Sequence, residues 1–180
     1  MAWAPVMMIG KSSVISRGFT IVELLVALAV AAVLLALAVP SFNGFIAQRD
    51  ITSRVNDFVL SLNYARSEAA RVGGLVTVQA INPGAADNEW GPGFCVVQNN
   101  PGDCSGTRLR SFDGYADGTF DGLATLDGIE AFGFNSRGLM TVGAAGTIDI
   151  CHTDTDIDPG RTVTISAIGR ASVSELTCHP

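Results

Sequence analysis

The thiols and imidazoles of this 180-residue chain are few: Cys95, Cys104, Cys151 and Cys178, with His152 and His179. Four cysteines admit three disulfide pairings. Cys95 and Cys104 flank Asn99-Asn100-Pro101-Gly102, a turn that brings two short strands together, and this favours a Cys95–Cys104 bond. Cys151–Cys178 would then tie the C-terminus to a strand. Zinc is the competing chemistry, because Cys151-His152 and Cys178-His179 supply two thiolates and two imidazoles. Adjacent residues on a strand point to opposite faces, so each pair chelates poorly and no structural zinc is expected.

Asp154, Asp156 and Asp158 stand at alternate positions, as at the start of a calcium loop. An EF-hand needs glycine directly after the third acid and glutamate at its twelfth position, where this chain has Pro159 and Ile165. A solvated acidic turn is the expectation, with calcium as the partial match. No nucleophile elbow, phosphate loop or dinucleotide fingerprint occurs. Neither an enzyme nor a cofactor is expected.

Glu23 raises a different question. From Phe19 to Val39 every residue is apolar or small except Thr20 and Glu23, and the run ends at Pro40. At ~1.5 Å per residue, 21 positions (39 − 19 + 1) make a helix of about 31 Å, matching a hydrocarbon core of roughly 30 Å. A carboxylate in such a span costs on the order of 2.5–3.5 kcal/mol and marks function. A secretory signal peptide fits less well, because its apolar core is shorter, about 7–15 residues, and carries no acid.

Gly18-Phe19-Thr20-Ile21-Val22-Glu23 resembles the prepilin peptidase site of type IV pilins and type II secretion pseudopilins. The resemblance implies that Met1–Gly18 is a leader removed between Gly18 and Phe19, with N-methylation of Phe19. It also implies a helix that packs into a filament core, with Glu23 and Pro40 at that family's glutamate and helix-kinking proline. The implied partners are a prepilin peptidase, other minor and major pilins or pseudopilins, and the inner membrane. A neighbour's Phe19 amine would answer the Glu23 charge and set assembly register, the best-attested use of a buried ion pair.

These residues must be held by the elements that follow. Beyond Pro40, Ile51, Val55, Phe58, Leu62, Ala65, Ala69 and Val72 recur at steps of four and three. That spacing puts them on one face of an amphipathic helix, with Arg49, Asp50, Arg54, Asp57, Arg66 and Arg71 elsewhere on it. Gly73-Gly74 is its stop. Short runs rich in β-formers follow at 75–81, 94–98, 108–112, 129–134, 147–151 and 161–167. Asp113-Gly114, Asp117-Gly118, Asp121-Gly122 and Asp127-Gly128 read as turns of a mobile surface loop. A long helix before a set of strands predicts an α+β fold, the helix packed on an antiparallel β-sheet head.

Asn63-Tyr64-Ala65-Arg66-Ser67-Glu68-Ala69, Trp90-Gly91-Pro92-Gly93-Phe94 and Gly169-Arg170 resemble the GspH/FimT group of minor pilins and pseudopilins. The organisation expected is a leader (1–18), a transmembrane and filament-core helix (19–39), an amphipathic continuation (40–73) and a periplasmic β-rich head (74–180). The chain would sit in the inner membrane as a single-pass protein and join or prime a type IV pilus or a secretion pseudopilus. Cysteines beyond the span would lie in the periplasm, where disulfides persist.

The alternative is DNA capture, since some members of the resembling group bind DNA through a C-terminal Gly-Arg-x-Arg pattern. Here Arg170 is present but Ser172 replaces the second arginine, leaving Arg161 as its possible companion. Removing Met1–Gly18 takes away Lys11 and Arg17, moving the formal charge from −6 to −8 (9 Arg against 17 acids). That sign opposes phosphate binding.

Overall fold

The computed structural model describes residues 18–81, 88–99, 102–154, 158 and 160–178. Among the described residues one helix, α1 (Ile21–Val72), is followed by nine strands. The chain divides into two compact units, Met1–Pro40 and Ser41–Pro180. The expected leader up to Arg17 lies outside the described residues.

In the first unit, the Oγ1 of Thr20 accepts the Glu23 backbone N–H at 3.2 Å and caps the helix start. Thr20 and Glu23 have the spacing of a capping box, so Glu23 also has a local place at the positive end of α1. The side chains from Ile21 to Ala36 are all exposed. Among the described residues no helix is long and apolar enough to cross a membrane. The side chains of Leu37, Val39 and Pro40, at the end of the expected span, lie outside that description.

The second unit is built on the opposite face pattern. Ala47, Ile51, Val55, Phe58, Leu62, Ala65 and Ala69 of α1 are buried. Val72, expected on the same face, is 36% exposed. It is the last helical residue, where the chain already turns away. Gly73 follows at φ +68°, and the Gly74 N–H reaches the Ala69 carbonyl at 3.3 Å, closing the helix with a Schellman bond.

Two antiparallel sheets pack around that helical face. The first has the order β3-β2-β1-β5-β6: Arg108–Asp113, Gly93–Gln98, Val76–Ala80, Ala131–Phe134 and Met140–Val142. The second has the order β4-β7-β8-β9: Gly118–Leu123, Gly146–His152, Gly160–Ile165 and Ala171–Leu176. Phe58 is the meeting point. Its ring lies 5.3 Å from Phe94 on the first sheet, 5.0 Å from Phe120 on the second and 5.0 Å from Trp90, all edge-on. Such pairs contribute about 0.5–1.5 kcal/mol each beyond the area they bury.

The Asp-Gly segment is not the expected surface loop. Gly118–Leu123 is strand β4, paired in register with β7, and Ala124–Leu126 is a short 3-10 turn. Gly118 and Gly122 answer close packing rather than turning, whereas Gly128 does turn the chain as expected, at φ +68° with open space around it. A Cβ on Gly118 would lie 2.1 Å from the Cys151 carbonyl oxygen, and one on Gly122 would lie 2.3 Å from that of Leu126. Strands β6 and β9 also went unseen in the sequence; β6 has only three residues, and Ser172 to Glu175 of β9 are all exposed.

Candidate functional site

Gly18 and Phe19 precede the helix, both exposed, and Phe19 is 75% exposed. Glu23 is exposed one turn later. The two residues expected to flank the cleavage therefore stand exposed ahead of a capped helix.

In the head, sulfur–sulfur bonds join Cys95 to Cys104 and Cys151 to Cys178. The first sets Cys104 beside β1, its Sγ 3.7 Å from the Gln79 carbonyl oxygen. Asn99 accepts the Thr77 hydroxyl proton on its carbonyl, and Thr77, Gln79 and Val97 are buried. The second holds the C-terminal segment beside β7. A side chain at Gly160 would meet the Cys178 Sγ at 2.3 Å, so glycine is what lets that bond lie flat on β8. With both thiols of Cys151 and Cys178 in one disulfide, the zinc alternative loses its thiolates. His179, its fourth ligand, lies outside the described residues.

Asp154 and Asp158 do not form a cation cradle with other described ligands. Asp158 instead clamps two elements. Its Oδ1 accepts the Cys178 N–H at 2.9 Å, and its carbonyl accepts Nε2 of Gln48, on α1, at 2.7 Å. Asp156 lies outside the described residues, and among those no group of three metal-binding side chains converges.

The arginines fall into separate places. Arg161 pairs in register with Glu175 and its Nη2 lies 3.9 Å from the Glu175 carboxylate. Arg170 stands beyond the opposite end of that hairpin, where Ile165 faces Ala171. Four residues of strand at ~3.3 Å each separate those ends, about 13 Å. The two arginines of the DNA-capture alternative therefore stand at opposite ends of the hairpin, and Arg161 already faces an acid.

The turn that precedes Arg170 adjoins Arg66 of α1 through Ile168 and Gly169. The Arg66 Nη2 donates to the Ile168 carbonyl at 2.9 Å, and its guanidinium stands 5.0 Å over the Phe134 ring. Gly169, at φ +77°, completes the junction, because a Cβ there would lie 2.5 Å from Phe134. The Tyr-Ala-Arg-Ser-Glu-Ala run and the Gly-Arg pair, a hundred residues apart in sequence, are thus one packed joint. Glu68, also buried, is held by the Arg71 guanidinium, whose Nε donates at 2.8 Å; that hydrogen bond keeps its carboxyl below the usual range.

Glu89 had no part in the sequence reading. It is 2% exposed, and its two oxygens accept the N–H groups of Gly128 at 2.7 Å and Gly122 at 3.1 Å. Burial pushes its carboxyl up, but hydrogen bonds from Gly128, Gly122 and its own backbone, with the Asp121 side chain, outweigh burial and hold it below the glutamate range. Asn88 beside it accepts the Phe120 N–H at 2.7 Å. Together they close the free edge of β4. No spacing rule points to Glu89, because the glycines it holds stand 33 and 39 residues further along the chain.

Residues 54–169 match the Type II transport protein GspH family, and residues 15–39 match the prokaryotic N-terminal methylation motif. The chain belongs to the GspH family. Its fold is similar to that of the type IV minor pilin FimU of Pseudomonas aeruginosa PAO1. One crystal form aligns at TM-score 0.56 and 26% identity, over 72% of this chain and 92% of that one. A second aligns at 0.53 and 28%, over 68% and 91%. No curated protein sequence matches. The family and the fold are those of structural pilins.

Proposed function

We propose that the chain is a minor pilin or pseudopilin, a structural subunit of a type IV pilus or a type II secretion pseudopilus with no catalytic role. The observation that carries this is a GspH head on the same chain as a methylation motif, the motif itself containing the exposed, mainly apolar stretch from Ile21 to Ala36. In this reading a prepilin peptidase removes residues 1–18 between Gly18 and Phe19 and methylates Phe19. Residues 19–39 hold the protein in the inner membrane as its only span, 40–73 join anchor to head, and the head (74–180) faces the periplasm. Two disulfides suit that compartment. On assembly the helix leaves lipid for neighbouring helices, and Glu23 meets a neighbour's Phe19 amine.

Intact-mass measurement in cells with and without the peptidase tests the processing step. The expected product begins with methylated Phe19 only when the peptidase is present; an identical mass in both strains sinks the reading. Glu23→Val should leave cleavage intact and abolish recovery in sheared filaments. Wild-type recovery of that variant would remove the assembly role of the charge.

A further inference from the structure

Two tight turns, one from each sheet, come together on Arg66. In the first, between β5 and β6, Asn135 Oδ1 accepts the N–H groups of Arg137 at 2.9 Å and Leu139 at 3.1 Å. In the second, between β8 and β9, Ser166 Oγ accepts the Arg170 N–H at 3.0 Å, and the Gly169 N–H reaches the Ser166 carbonyl at 2.7 Å. Arg66 touches both: a Cβ on Gly138 would lie 3.2 Å from its Cγ, and one on Gly169 would lie 3.2 Å from its Nη2.

Each turn does something turns rarely do. Tips are ordinarily polar, yet Leu139 is 46% exposed and Ile168 is 57% exposed. Each also carries an exposed arginine, Arg137 and Arg170. None of the ion pairs among the described residues involves Arg66, Arg137 or Arg170. Two large apolar side chains on pinned backbone, flanked by unneutralised arginines, have the composition of an interface core and rim rather than of a solvated surface. The chain as a whole is acidic, at −6, so a basic end is a local exception.

From this we infer that the Leu139–Ile168 patch, with Arg137 and Arg170, docks a carboxylate-bearing face of a different, neighbouring subunit in the filament. The inference rests on the pilin reading above. The arginines select an acidic partner, and the apolar pair gives it something to bury. A two-fold contact of this chain with itself through the patch would oppose arginine to arginine. Duplex DNA would meet few phosphate-neutralising cations here and would leave Leu139 and Ile168 unused.

The test places a photo-crosslinking residue, Ile168→p-benzoylphenylalanine, in the full chain expressed in its own cells, with and without Arg137→Glu and Arg170→Glu together. The expected adduct is a second protein that peptide mass identifies as a subunit with a methylated pilin N-terminus, joined through a carboxylate-containing surface. Charge reversal should cut that adduct and the protein recovered in sheared filaments about tenfold or more, with cleavage and melting temperature unchanged. Nuclease-sensitive adducts, adducts to a second copy of this chain, or wild-type recovery of the reversed variant would each overturn the inference. In those cases wild-type protein in the filaments still upholds the pilin reading. Its absence from filaments would overturn both.

Discussion

Helix α1 places the same kinds of residue in two opposite settings. Leu28 and Leu34, in the first unit, are 59% and 62% exposed, while Ile51, Val55 and Phe58, in the second, are 2% exposed or less. Sequence hydrophobicity is higher in the first stretch, yet the second is where the chain supplies its own cover. The difference teaches which apolar residues build this protein and which are left for something outside it. Burial of a side chain stabilises by roughly 1.5–3 kcal/mol only where a partner surface exists. For the exposed stretch that partner is the membrane and then the filament in the proposed function. The head, by contrast, must be stable before assembly.

The sharpest way to break this comparison is to truncate one residue from each stretch. Phe58→Ala should destabilise the head by about 3–5 kcal/mol, because four rings lose their common neighbour. Leu28→Ala should leave head stability within about 0.5 kcal/mol. Thermal unfolding of the mature chain in detergent, followed by near-ultraviolet circular dichroism, separates the two. Equal losses would mean that the exposed stretch packs on the head after all.

Much of this division was legible beforehand. The three-and-four spacing from Ile51 to Ala69 named the buried helix face, and the Gly73-Gly74 stop fell where the helix ends. The α+β class followed from one long helix before short β runs. Strand β4 was not legible, because Gly118 and Gly122 look like turn residues until Cys151 and Leu126 are known to crowd them. The Arg66 junction could not be seen either: its partners, Ile168 and Phe134, are remote in sequence and are reached through a backbone carbonyl and a ring face. The two arginines of the DNA-capture alternative stand apart for the complementary reason, since a hairpin separates residues that sequence keeps within ten positions.

The disulfides sharpen the comparison at the next level of effect. Each should contribute about 2–4 kcal/mol to a head of this size. Chain entropy makes the longer loop worth more. Cys151 and Cys178 are 27 residues apart and Cys95 and Cys104 only 9, a difference of about 1 kcal/mol in favour of the former. Cys151→Ala with Cys178→Ala should therefore lower the unfolding midpoint further than Cys95→Ala with Cys104→Ala. The reverse order would show that the first bond's place beside β1 outweighs loop length. Neither pair should alter cleavage at Gly18, which belongs to the other unit.

Glu89 gives the smallest effect and the most specific one, because it separates charge from packing within the head. Its carboxylate receives two backbone N–H groups in a buried site, so Glu89→Gln turns one acceptor into a donor and leaves an N–H without a partner. That costs about 1–3 kcal/mol at pH 7. The native carboxyl is held below its ordinary range, while in the unfolded chain it titrates near about 4.3. Its contribution is complete above that unfolded value and is lost as pH falls through the lower folded one. Wild-type and Glu89→Gln heads should therefore differ most at neutral pH and converge in acid. Urea unfolding of both proteins at pH 7 and near pH 3 measures the gap. A gap of the same size at both pH values would mean that Glu89 holds β4 by shape alone, and equal midpoints at pH 7 would remove it as the clamp on that edge.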